Sequence, residues 1–251
     1  MTALGMSLLY AGLDPATAVF LFVISFFGSF ITVAMGIGGG AMMLAVMATL
    51  LPPAALIPVH GVIQFGSNAY RAFVLKEHTF WPPIAAFAIG SLIGVSVGGL
   101  IVVDLPPSAV QIGVGLFVVW SVLRKPPKWL THWPFLTGLL SSFLTMFFGA
   151  TGVFVAGIVK SHQLGREAHV ATHAVMMTLQ HLLKIIVFGM LGFAFGPWLG
   201  FMGAMITSGF VGTLAGRHVL RRMNDAIFGK VLNVILMLLA ARLIWQGIAG
   251  L

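Results

Sequence analysis

Ser29-Phe30-Ile31-Thr32-Val33-Ala34-Met35-Gly36-Ile37-Gly38-Gly39-Gly40 is followed, 113 residues later, by Ser142-Phe143-Leu144-Thr145-Met146-Phe147-Phe148-Gly149-Ala150-Thr151-Gly152-Val153. Each stretch is an apolar run that ends in a glycine-rich break. Glycine adds no side-chain packing and tolerates left-handed angles, so such runs interrupt a helix. The same register extends outward. Gly36 falls on Gly149, Gly39 on Gly152, His60 on His173, Val62 on Val175 and Asn68 on His181. Further on, Gly90, Ile93 and Gly99 fall on Gly203, Ile206 and Gly212, and no gap is needed between Ser29 and Gly99. The chain reads as two copies of one unit.

Composition names the solvent of that unit. Of 251 residues, 59% are hydrophobic and 7% charged, against about 25% charged in a soluble domain. Mean hydropathy is +1.08. So much apolar surface, with so little polar surface to cover it, belongs in lipid. The net charge of +8 sits mainly in short loops, where it sets orientation rather than binding nucleic acid. The absence of cysteine excludes disulfides and thiolate metal sites. The N-terminus lacks the basic region of a cleaved signal peptide, so Ala16–Ala34 is kept as a span.

Apolar stretches run at about 16–35, 38–51, 56–74, 81–103 and 108–123, then at 135–148, 150–160, 168–188, 195–216 and 230–248. Between the sets lies a polar linker, Arg124–Trp133. The stretches 38–51 and 150–160 are too short to cross a hydrocarbon core about 30 Å thick and are expected to be half-helices or re-entrant pieces. Trp81, Trp129, Trp133 and Trp198 fall at span ends, as interfacial anchors do. The expected fold is an all-α polytopic membrane protein of two inverted-topology repeats. Each repeat has about five helical segments, with helices broken at the glycine motifs. The first repeat covers residues 1–123, the cytoplasmic linker 124–133 and the second repeat 134–251. Five segments per half place the second half upside down relative to the first.

Charge agrees with this count. When the loops are assigned alternately to two sides, eleven of the thirteen basic residues fall on one side: Arg71, Lys76, Arg124, Lys125, Lys128, Lys160, Arg166, Arg217, Arg221, Arg222 and Lys230. That side is cytoplasmic by the positive-inside rule, and both termini face outward.

Two features are candidates for a site. The first is the pair of breaks, Gly38-Gly39-Gly40 and Gly149-Ala150-Thr151-Gly152. A break at membrane depth frees backbone N–H groups, and the positive end of the half-helix that follows favours an anion. Close helix packing by small residues is the alternative. Gly36-x-Gly38-x-x-Ala41 also fits a loose dinucleotide fingerprint. That fingerprint requires a preceding strand and an acid about twenty residues on, and no acid appears before Glu77.

The second feature is a pair of polar stripes. His60, Gln64, Ser67 and Arg71 are spaced to share one helical face, and so are His169, His173, Gln180 and Lys184. Asn68 and His181 flank them. Polar groups avoid lipid, so these faces point inward. Interhelical hydrogen bonding is the alternative reading, and Arg71 is also placed to snorkel to the cytoplasmic edge. No Asp or Glu lies inside a span. A lining of hydroxyls, amides, imidazoles and cations suits an anion and repels a metal ion. His169 and His173 have a spacing that can bind zinc or nickel, but no third ligand is in view, and no metal site or cofactor is assigned.

The stretch Gly36–Arg71, GIGGG followed after a proline pair by a polar-striped helix, resembles the sulfite exporter TauE/SafE family, also called the 4-toluene sulfonate uptake permease family. The likeness covers nearly the whole chain, with a glycine break in each half. It implies a bacterial inner-membrane permease for small sulfur-containing or other organic anions, with Gly38–Gly40 and Gly149–Gly152 as paired broken-helix motifs. This sequence departs from the family at Ala45, where a proline is common, and in its second motif, Gly-Ala-Thr-Gly in place of a glycine triplet.

The reading is a multi-pass secondary transporter, not an enzyme, that carries sulfite, an organosulfonate or a related anion by alternating access. Expected substrate-binding residues are Gly38, Gly39, Gly40, His60, Gln64, Arg71, Gly149, Thr151, Gly152, His173, Gln180, His181 and Lys184. The expected partners are a small anion and the lipid bilayer, without nucleic acid; the sequence leaves an oligomer open. A nickel- or zinc-type permease using the membrane histidines is the alternative.

Overall fold

The computed structural model describes residues 9–35, 38–102, 106–219 and 225–250. Gly36, Ile37, Asp104, Arg221 and Arg222 lie outside the described residues, and so does the Gly36–Gly149 pairing.

The described residues form ten helices and no strand: α1 Pro15–Met35, α2 Gly39–Ala48, α3 Pro53–Val74, α4 Ile84–Val102, α5 Pro107–Leu123, α6 Pro134–Phe148, α7 Gly152–Ser161, α8 Arg166–Met190, α9 Leu199–Val219 and α10 Asp225–Ala249. Proline opens α3, α5 and α6, where its missing N–H and fixed φ suit a first turn. The breaks are where the glycines predict them. Gly38 precedes α2 with φ +108, and Gly149 ends α6 with φ +75.

Five helices are long and apolar enough to cross a bilayer: α1, α4, α8, α9 and α10. With 22 residues α3 is also long enough, but its polar stripe lowers its hydropathy. The half-helices α2 and α7 have ten residues each. Helix α6 is short as well, with 15 residues, close to the expected stretch 135–148. It starts at Pro134, and the linker before it folds into a 3-10 turn, Lys128–His132. That linker is more than a polar tether. Leu130 is buried against Phe117 and Phe154, and its carbonyl accepts a hydrogen bond from the Thr137 hydroxyl at 2.8 Å.

The usual distribution of polarity is inverted. Leu100, Met190 and Leu238 are exposed, whereas His60, Asn68, Arg71, Gln180, His181 and Lys184 are buried. This distribution belongs to a protein solvated by lipid, and the chain is an all-α polytopic membrane protein.

Helix packing exchanges between the halves. The most extensive pairings are α4 with α6, α1 with α9, α5 with α10 and α3 with α8. At an offset of 113, α4 corresponds to α9 and α6 to α1. Exchanging the halves therefore turns the first pair into the second and leaves the other two pairs unchanged. The half-helices match to the residue, 39–48 against 152–161. Small residues allow the close crossings. A Cβ at Gly94 would overlap the Leu139 carbonyl, and one at Gly212 would overlap the Phe26 carbonyl. Between α1 and α9, Ser25 Oγ donates to the Met205 carbonyl and Ser208 Oγ to the Phe22 carbonyl, both at 2.6 Å.

Candidate functional site

The breaks bring two half-helix N-termini to one cavity of about 240 Å³. Its wall includes Gly38, Gly40 and Ala41 from the first break, and Gly152 and Val153 from the second. The first N–H groups of a helix have no intrahelical acceptor. Here two such sets, each at the positive end of a helix dipole, border the same space. Helix α3 contributes His60, Gln64 and Asn68 to the wall, and α8 contributes His173, Met177 and His181.

The two equivalent histidines make similar contacts, one register position apart. His60 Nε2 is 3.2 Å from the Gly40 carbonyl, and His173 Nε2 is 3.3 Å from the Gly152 carbonyl. A carbonyl only accepts, so each contact requires a proton on Nε2. Each imidazole is thereby tied to the first residues of a half-helix. The His60 and His181 rings meet edge-on with centroids 6.1 Å apart. Nδ1 of both is buried with no hydrogen-bond partner.

Of the residues expected from sequence, Gly38, Gly40, His60, Gln64, Gly152, His173 and His181 line the cavity. Gly39, Arg71, Gly149, Thr151, Gln180 and Lys184 stand behind it. Gly39 packs against Gly28 of α1. Arg71 is fully buried and donates to Asn68 Oδ1 at 2.8 Å and to Ser67 Oγ at 3.3 Å. Asn68 Nδ2 in turn donates to the Gln64 carbonyl at 2.8 Å and to Gln64 Oε1 at 3.2 Å. Arg71 thus holds the amides that face the cavity and does not snorkel to an edge.

Lys184 holds the second break. Its Nζ lies 3.4 Å from the Gly149 carbonyl and 3.5 Å from Thr145 Oγ1, placing a cation at the C-terminal, negative end of α6. Gly61 makes room for it, since a Cβ there would stand 2.9 Å from Lys184 Cε. Gln180 Nε2 donates to Thr151 Oγ1 at 2.7 Å, and Ser141 Oγ donates to Gln180 Oε1 at 3.0 Å. Gln180 therefore fixes Thr151, the residue that caps the start of the second half-helix.

Arg71 and Lys184 are 113 residues apart, so the two buried cations occupy equivalent positions. The same offset of 113 makes that equivalence legible in the sequence. Thr32, Ser121 and Asn233 also line the cavity. Thr32 belongs to the repeated Ser-Phe-x-Thr motif, while Ser121 and Asn233 belong to the last helix of each half, where no periodic stripe marks them.

Among the described residues no carboxylate lines this cavity, and no three His, Asp or Glu side chains gather as metal ligands would. The lining offers donors and partial positive charge. No curated protein and no solved structure matches the chain. The sequence profile described as Sulfite exporter TauE/SafE matches residues 21–243, from within α1 to within α10 and through both breaks. The chain therefore belongs to the sulfite exporter TauE/SafE family of membrane transporters.

Proposed function

We propose that this protein is a secondary transporter for a small sulfur oxyanion, sulfite or a small organosulfonate, held between the N-termini of α2 and α7. One observation carries the reading: two half-helix N-termini and their tethered histidines, His60 and His173, border one cavity that no described carboxylate lines. The anion would accept hydrogen bonds from free backbone N–H groups, with the Gln64 amide and the untethered His181 ring as further donors; His60 and His173, whose Nε2–H groups are spent on carbonyls, would donate only when doubly protonated. Arg71 and Lys184 would add positive charge from behind, and Lys184 would keep the second break in shape. At about 240 Å³ the cavity is below the usual range of roughly 300–1,000 Å³ for drug-sized ligands, which favours a small cargo.

Alternating access by two inverted halves, 1–123 and 134–251, would expose this site to each side in turn. The reciprocal exchange of packing partners supports that arrangement. The basic loops support a bacterial inner-membrane orientation with linker 124–133 in the cytoplasm and both termini in the periplasm.

The test is flux of labelled sulfite and of methanesulfonate in proteoliposomes, with nickel as the competing cargo. Anion flux lost in His60→Ala/His173→Ala supports the reading. Nickel flux without anion flux refutes it and restores the metal-permease alternative.

A further inference from the structure

A second, larger cavity of about 850 Å³ opens beside the first. Arg124, Lys125 and Lys128 of the linker, Lys160 at the end of α7 and Arg166 at the start of α8 line it, together with His169. Arg166 is engaged with the α1 end, donating to the Ala34 carbonyl at 2.8 Å; Lys125, Lys128 and Lys160 are exposed. Among the described residues no Asp or Glu lines this space. The nearby Glu167 instead faces His78 at 3.5 Å. Between the cations the wall is apolar, from Val153, Ala156, Leu164 and Val170. Met35, Ser121 and Val153 line both cavities, so the two adjoin.

The positive-inside rule accounts for basic residues at this face. It does not require them to line a concave space that leads to the central cavity. A cleft with charges of one sign and low-dielectric walls concentrates counter-ions.

We infer that this basic vestibule is a separate anion-binding site. It is a staging subsite where a small sulfonate- or sulfite-like oxyanion is held by Lys125, Lys128 and Lys160 before it passes Ser121 and Val153 into the central cavity. The transport role rests on the function proposed above; binding in the vestibule does not.

The cysteine-free chain allows a direct test. Ala156→Cys and, separately, Ser121→Cys place one thiol on the vestibule wall and one at the junction. Each is modified in neutral phosphatidylcholine vesicles by a sulfonate-bearing methanethiosulfonate and by its quaternary-ammonium counterpart. Rates are normalised to a free thiol in solution. The anionic reagent should react about tenfold faster at low salt, the lower end of the effect of focused charge. The advantage should collapse near 1 M salt, where the screening length is ~3 Å. Lys125→Gln/Lys128→Gln/Lys160→Gln should abolish it, and millimolar methanesulfonate should protect saturably. A rate ratio near one, a ratio unchanged by the triple variant, absence of protection, or no reaction of either thiol overturns the inference.

Lipid headgroups offer the same anionic chemistry. If phosphatidylglycerol vesicles slow modification and methanesulfonate then gives no protection, the occupant is lipid and the solute site is refuted. In transport, the triple variant should raise the KM for loading from the basic face about tenfold with an unchanged maximal rate. Wild-type protein that moves neither sulfite nor methanesulfonate, while protection persists, would sink the transport reading and leave the binding site standing.

Discussion

Gly39 and Gly152 hold equivalent places at the start of two half-helices, yet the structure assigns them opposite tolerance to one added methyl group. At Gly152 a Cβ would meet His173 Nε2 at 3.5 Å and Met177 Cε at 3.7 Å, ordinary contact distances. At Gly39 it would overlap the Gly28 carbonyl oxygen and stand 2.6 Å from the Gly28 carbonyl carbon. The obstacle is the backbone of α1, so no side chain can rotate away. Helices α1 and α2 would have to part by roughly 1–2 Å to restore a carbon contact distance of about 3.5–4.0 Å. Gly39→Ala should therefore fall at the upper end of overpacking, about 3 kcal/mol. At ~2–4 °C per kcal/mol for a chain of about this size, its unfolding midpoint should drop by roughly 6–12 °C. Gly152→Ala should stay within a few degrees. Thermal unfolding of both variants in one detergent, followed by near-UV circular dichroism, reads the difference. Thr32→Ala added to Gly39→Ala should restore little, because the Thr32 hydroxyl is not the main obstacle. Equal midpoints for Gly39→Ala and wild type, or full rescue by Thr32→Ala, would show that α1 and α2 are not packed backbone to backbone.

Lys184→Met should insert and fold but bind its anion ten- to a hundredfold more weakly, the equivalent of losing an ionic hydrogen-bonding group worth about 1.5–3 kcal/mol; undiminished affinity in concentration-dependent flux would make Lys184 purely structural. Gly94→Val drives a branched side chain into the Leu139 carbonyl and should separate α4 from α6, giving aggregated protein on size exclusion where Ser96→Val, exposed on the same helix, gives none. A periplasm-dependent reporter fused after Leu251 should be active, and activity of a cytoplasm-dependent one there would overturn the five-plus-five count. Gly61→Leu should push Lys184 off the Gly149 carbonyl and reproduce the transport defect of Lys184→Met, whereas retained transport would uncouple that lysine from the second break.

The order of helices was legible because lipid leaves so few options. A run of apolar residues about 20 long is a helix wherever it falls, and glycine at 38 and 149 marks interruption through backbone geometry alone. The inward direction of both polar stripes followed from the same solvent argument. The distinction between lining and backing residues was not legible. His60 and Arg71 share a face of α3, yet the histidine reaches a half-helix N-terminus in the neighbouring segment while the arginine turns back onto Asn68 and Ser67. Such choices depend on which backbone approaches which, as at Gly61 over Lys184, and periodicity carries no record of that. The contributions of Ser121 and Asn233 escaped because a lone polar residue on an apolar helix has no pattern.

The exchange of partners between the halves bears on how the chain is made. Helix α1 is made well before α9, and the hydroxyl that donates to its Phe22 carbonyl sits on Ser208, 186 residues later. At synthesis rates of ~5–20 residues per second that interval is on the order of 10–40 s. During that time α1 rests in lipid with its serine face unmatched, and α4 waits in the same way for α6. The α1–α9 and α4–α6 pairings therefore form only after segments of the second half have been made. The nascent first half depends on the insertion machinery, or on lipid, to shield a polar seam whose partner has not yet been synthesised.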